Sequence, residues 1–246
     1  MTMLFYAGCA GQLQTLTPST SFLTSEVQGK FSKITVAAGA IDGASAQASL
    51  KEDSEQIKLR AVKSFTHLML MPQAGLAKRV DAFVKFTTHS PFLYGLKWQI
   101  FGDTKTEAVN GSNSFSIYMG GGRHRYQSPS ELNFETGGDF EANRTHTIVD
   151  YGAIYGKRIY SDILVYARYS NISQESHGKI SFPENAQLDG QDFALEGLHS
   201  SYALGGVWLT PNINLGLELS LLRTNWFEAS NINSKSALLH ISKTFR

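Results

Sequence analysis

A single cysteine, Cys9, occurs in 246 residues, so the chain can form no intramolecular disulfide and no multi-cysteine metal site. Its seven histidines fall at no metal-ligand spacing with acidic partners, so neither a metal nor any other cofactor is expected. No run approaches 18 apolar residues, which excludes a transmembrane helix; the longest aliphatic stretch of the body, Leu68-Met69-Leu70-Met71, is closed by Pro72. Charge is scarce as well. Only 17% of residues are charged, against about 25% in an ordinary soluble protein. Lysine plus arginine number 22 against 21 acidic residues, which leaves no basic surface for nucleic acid.

What is present is alternation. In Phe92-Leu93-Tyr94-Gly95-Leu96-Lys97-Trp98-Gln99-Ile100 the even positions are apolar, while the odd ones include Gly, Lys and Gln. From Asn212 to Leu221, Ile213, Leu215, Leu217, Leu219 and Leu221 alternate with Asn, Gly, Glu and Ser. Such spacing circles a helix but lines one face of a strand. The same period recurs over 34–38, 57–61, 80–86, 115–119, 149–155, 159–169, 198–208 and 237–245, making ten strands. Aromatics at 11% and 22 glycines suit strands and turns. All six prolines lie outside these segments, as a closed ladder requires.

A closed barrel satisfies every backbone group in lipid without a long apolar run. The expected fold is therefore all-β: a closed, antiparallel, up-and-down transmembrane barrel of about ten strands, with eight to twelve as bounds. Residues 31–246 form the barrel, and 1–30, rich in Thr, Ser and Gln from residue 10, form a signal remnant and periplasmic tether. With the last strand ending in the periplasm, tight turns at 156–158 and 210–212 and links near 71–78 and 102–112 fall on the periplasmic side. The long connections 122–145 and 171–197 fall outside, with 40–55 and 224–234. Trp98, Trp208, Tyr155 and Tyr160 suit a periplasmic aromatic girdle, and Trp226 an outer one.

The C-terminal run Ala237-Leu238-Leu239-His240-Ile241-Ser242-Lys243-Thr244-Phe245-Arg246 resembles the closing strand of bacterial outer-membrane proteins. Lys243 interrupts the apolar phase and Arg246 follows the aromatic, two departures from that pattern. The resemblance implies a bacterial outer-membrane location, contact with membrane lipid and lipopolysaccharide, and recognition of this strand by the outer-membrane assembly machinery. Ala7-Gly8-Cys9 resembles a lipoprotein processing site, which implies lipidation at Cys9. The segment before it lacks Lys and Arg and is short for a signal; a start placed too far downstream accounts for both.

If the apolar phase faces lipid, the other phase lines the lumen: Lys33, Lys58, Arg60, Asp81, Lys85, Lys97, Asp150, Asp162, Arg168, Glu218 and His240. Ten strands lie near the size that side chains fill, so a bracing polar network is expected rather than a channel. Gly120-Gly121-Gly122 reads as a flexible loop start, and Arg123, His124 and Arg125 after it as a contact for lipopolysaccharide phosphates. A structural or interaction role through the outer loops, with a protein partner there, is the leading functional reading, and a narrow channel for small solutes is the alternative. Third is a lipid-modifying hydrolase: His199 and Ser201 resemble the His-x-Ser pair of barrel lipid-A deacylases, although the asparagine-rich surround is missing and only Glu196 or Glu218 is available to orient the histidine. A soluble lipid-binding barrel would need the apolar phase turned inward.

Overall fold

Alternating apolar and polar residues over more than ten segments need a surface that is half apolar on each side of every strand, and a closed ladder supplies it. The computed structural model describes residues 13–18, 21–29, 34–41, 43–51, 54–63, 67–87, 92–128, 141–181, 191–210, 213–227 and 231–245. The strands are β1 (Leu13–Pro18), β2 (Ile34–Ile41), β3 (Gly43–Lys51), β4 (Ser54–Lys63), β5 (His67–Ala77), β6 (Val80–Thr87), β7 (Leu93–Gly102), β8 (Asn113–Ser128), β9 (Glu141–Tyr160), β10 (Ile163–Ser181), β11 (Gln191–Trp208), β12 (Ile213–Arg223) and β13 (Asn233–Phe245). Ten of them, β2 and β5 to β13, close into one antiparallel barrel, with β13 paired to β2 from Phe245↔Ile34 to His240↔Gly39. The remaining three form a separate sheet in the order β1-β3-β4.

The expected fold class is the observed one, with ten strands in the ladder, but one of the ten is a different segment. Residues 57–61 belong to β4, outside the barrel, and their place is taken by β5, which contains Pro72. Pro72 faces outward beside exposed Leu70, and the pairing of β5 with β6 skips Met71 and Pro72. A missing N–H is tolerated at that gap because the ladder to β2, with Val36↔Pro72, continues on the other side. Pro18, too, lies inside a strand, β1.

The turns also move. β5 runs to Ala77, so the turn is at Lys78–Arg79, and β9 runs through 156–158 to turn at Ser161–Asp162. Within the segments 122–145 and 171–197, residues 122–128, 141–145, 171–181 and 191–197 are strand. A tilted membrane strand needs about 9–11 residues, whereas β9 has 20, β10 has 19 and β11 has 18. The pairing shows where the surplus goes. β7 pairs with β8 only as far as Gly121, and β12 pairs with β11 only from Ser200, beyond which residues 225–227 still bond to Glu196 and Leu198; farther out, among the described residues, β8 to β11 pair with one another.

Side-chain chemistry changes at the same level. Along β10 the outward residues are Ile163, Val165, Ala167 and Tyr169, and then Asn171, Ser173, Glu175, His177 and Lys179. On β8, Phe115, Ile117 and Met119 give way to Arg123 and Arg125. Below this boundary the barrel is belted by exposed apolar residues, among them Tyr94 at 69% and Leu239 at 71% exposure, which only a lipid environment covers. Trp98, Trp208 and Tyr160 lie outward at the lower rim, and the Trp208 indole N–H donates to Asp162 at 3.0 Å. Trp226, by contrast, is buried against His199, with ring centroids 4.3 Å apart.

The lumen and the projecting sheet as candidate functional sites

A ten-stranded barrel is slightly too wide for its wall side chains alone to fill. Here the remaining space holds residues 21–29, most of them buried, in place of the flexible tether the composition suggests. The wall binds this segment largely through its backbone. The Val27 N–H donates to Gln99 Oε1 at 3.0 Å, and the Gln28 N–H donates to both oxygens of Asp81 at 3.1 Å. Lys97 Nζ donates to the carbonyls of Thr24 at 3.1 Å and Glu26 at 2.6 Å, and the Ser116 hydroxyl donates to the backbone carbonyl of Ser25. The one charged side chain on the segment, Glu26, accepts a two-pronged pair from Arg158, Nε at 2.7 Å and Nη2 at 2.6 Å. Phe22 stacks on His240 at 4.7 Å.

Across the lumen, side chains meet directly. Lys85 Nζ lies 2.6 Å from Asp150, which also accepts from the Tyr118 hydroxyl at 3.0 Å. Glu218 accepts from Arg168 at 3.0 Å and from Tyr166 at 2.8 Å. Asp81 pairs with Lys97 at 3.5 Å and accepts from Gln73 at 2.5 Å. Among the described residues, the buried charged ones form four ion pairs, Lys85–Asp150, Lys97–Asp81, Arg158–Glu26 and Arg168–Glu218, whose charges cancel. That matters because an isolated buried charge costs several kcal/mol. In the link between β7 and β8, half-buried Lys105 donates its backbone N–H to the Val27 carbonyl at 2.9 Å, and burial beside Lys97 brings its ammonium down to about 8.

Seven of the expected lumen residues, Asp81, Lys85, Lys97, Asp150, Arg168, Glu218 and His240, are buried in this interior. Three are placed elsewhere or lie on another element. Lys58 and Arg60 are on β4, outside the closed ladder, because the strand taken for a barrel strand is not one. Asp162 is exposed in the turn between β9 and β10. Lys33 and Cys9 lie outside the described residues. Arg123, His124 and Arg125 are exposed, and they lie on β8 rather than in a loop, since Gly120-Gly121-Gly122 is paired strand. Glu26, Arg158, Tyr118, Tyr166 and Gln99 were not anticipated. For Glu26 a signal existed: it is the only acidic residue before Asp42.

His199 and Ser201 share the inner face of β11 and are both buried. His199 Nδ1 already accepts the Asn225 N–H at 3.1 Å, and its Nε2 has no hydrogen-bond partner among the described residues. Among the described residues no carboxylate bonds to this imidazole, as one would to orient it as a base.

The closed ladder, the apolar belt and the ion-paired buried charges define the class, a membrane-spanning β-barrel of the outer-membrane type. No protein-family model matches the chain, and no curated protein does either. Among solved structures, Ail, the attachment invasion locus protein of Yersinia pestis, is similar at 10% identity and a TM-score of 0.35, covering 88% of this chain and 100% of that one. The same protein in complex with the heparin analogue sucrose octasulfate is similar at 11% identity, with the same TM-score of 0.35 and the same coverage, 88% and 100%. The outer membrane channel DcaP of Acinetobacter baumannii is similar at 10% identity and a TM-score of 0.20, covering 86% of this chain and 95% of that one. At these values the ladder itself, and not the likeness, carries the fold assignment.

Proposed function

We propose that the chain is a non-conducting barrel of the bacterial outer membrane that acts through its projecting sheet, the outer parts of β8 to β11. One contrast carries this reading: the lumen is filled by residues 21–29 and four ion pairs, while four strands extend past the membrane span. β9 exceeds a span by about ten residues, or roughly 30 Å of strand. Building that surplus gains a water-facing surface and nothing for transport. Its outer face is polar and charged, and on its β8 edge Arg123 and Arg125 stand exposed just above the apolar belt. Planar guanidinium groups at that height suit the phosphates of lipopolysaccharide, with His124 between them. A protein partner would meet the same sheet. The closing strand β13 ends on exposed Phe245, with Lys243 Nζ 5.4 Å from the centre of its ring, a surface for the assembly machinery.

The test is a variant in which residues 124–146 and 175–196 are each replaced by a two-residue turn. Purified in detergent, it should still migrate faster unboiled than boiled, as a closed barrel does, and should no longer retain lipopolysaccharide aggregates that the full chain retains at low salt. Arg123→Ser with Arg125→Ser should reproduce much of that loss. Equal retention by the trimmed barrel would remove the projecting sheet from the reading.

A further inference from the structure

We propose that the chain crosses the membrane inside the barrel between Thr17 and Gln28, as an eleventh crossing, so that β1 lies on the outer side of the membrane. The inference rests on the membrane-barrel reading and goes beyond it, because the ten wall strands alone would leave both ends of the chain in the periplasm.

The contacts of the segment descend the wall in order. Thr17 bonds to Gln174, which lies in the outer part of β10, paired with Ile148 and Gly197 above the belt. Phe22 meets His240 five residues above the lower end of β13. The Ser25 hydroxyl lies 2.7 Å from that of Ser114, at the foot of β8, and Glu26 reaches Arg158 near the foot of β9. Gln28 reaches Asp81, the second residue of β6, and the carbonyl of Val27 accepts from Lys105 in the periplasmic link. Gly29 then takes φ +79° against Thr104, and β2 begins at Ile34, paired with Phe245 and Ala74 at the lower rim. Eleven residue steps reach at most roughly 36 Å when extended, so a hydrocarbon core of about 30 Å lies within their span.

The opposite end of the segment continues outward. β1 pairs antiparallel with β3, from Pro18↔Gly43 to Leu13↔Ala48, and β3 follows directly on the outer end of β2. Leu13 is thus the part of β1 farthest from the barrel. On this path, an acyl group carried by Cys9 would enter the outer leaflet, whereas a periplasmic tether would put it in the inner one.

The experiment uses the full chain with an epitope inserted between Gly11 and Gln12, and a second form with the epitope between Lys78 and Arg79. Antibody staining of intact cells is expected for the first form only, with the second staining after permeabilisation. If both stain only after permeabilisation, the eleventh crossing is wrong and the barrel stands. If the second form stains on intact cells, or the protein is not in the membrane fraction, the membrane reading or its orientation is what fails. Should the inserted epitope block assembly, two cysteine pairs in a Cys9→Ser background decide: Thr17→Cys with Gln174→Cys, and Ser25→Cys with Ser114→Cys. Both should crosslink in assembled barrels. Failure of the outer pair while the inner one forms would mean that the segment enters and leaves by the periplasmic end.

Discussion

At the scale of single residues the interior is a set of matched charges whose value lies in their matching. Removing one partner of a buried pair typically costs about 3–5 kcal/mol, whereas replacing both by apolar groups is often neutral. Arg158→Met should therefore weaken the refolded barrel towards urea, and Glu26→Met combined with Arg158→Met should recover most of the loss. Here the cost has a ceiling, because Glu26 sits on a segment that is not part of the hydrogen-bonded wall and can shift without opening it. Lys85→Met, whose partner Asp150 is fixed on a wall strand, should cost more than Arg158→Met. Equal losses in urea midpoint would argue that residues 21–29 are held as firmly as the strands. These charges were legible only where the alternation put them on a strand. Arg158 reads as a turn residue because Gly156 precedes it, and Asp162, one position from the strand start, reads as part of a strand. A period of two cannot tell the last residue of a strand from the first of a turn.

At the scale of elements, close packing of the lumen decides which glycines are structural. On β7, Gly95 lies beneath the Phe83 ring: a Cβ there would meet the Met119 carbonyl oxygen at 2.4 Å and the ring edge at 2.5 Å. Backbone cannot retreat, so Gly95→Ala should destabilise by about 1–3 kcal/mol. Gly121, on the opposite phase of β8, has nothing nearer than 3.6 Å, and Gly121→Ala should be neutral or stabilise by about 0.5–1 kcal/mol through the unfolded chain. Thermal melts followed by the loss of fast migration on a gel would rank the two. A drop for Gly121→Ala as large as that for Gly95→Ala would overturn the packing account. Element identity was readable for nine of the ten wall strands. β5 was missed because a proline in a run of four aliphatics signals a strand end, while the structure tolerates it at an outward position where the pairing with β6 lapses. The alternating Ile57, Leu59 and Ala61 gave the missing strand a false substitute: a paired sheet outside the barrel has the same period as one within it.

At the scale of the whole molecule, a barrel is closed to solutes only if its filling stays in place, and the two kinds of filling here differ in kind. The Lys85–Asp150–Tyr118 and Arg168–Glu218–Tyr166 groups are fixed to the wall, while residues 21–29 belong to a chain held at both ends. Neither could be seen from one strand at a time, since each group joins residues at least 32 positions apart. The full chain reconstituted in a planar bilayer should therefore give no steady single-channel steps. Glu26→Lys sets a cation against Arg158 and Lys97 and should drive the segment out of that position, leaving wall groups that obstruct the lumen but no longer fill it. Brief, irregular openings in this variant, beside a silent parent, would assign the seal to residues 21–29. Silence in both would assign it to the wall groups, and steady steps in the parent would restore the channel reading.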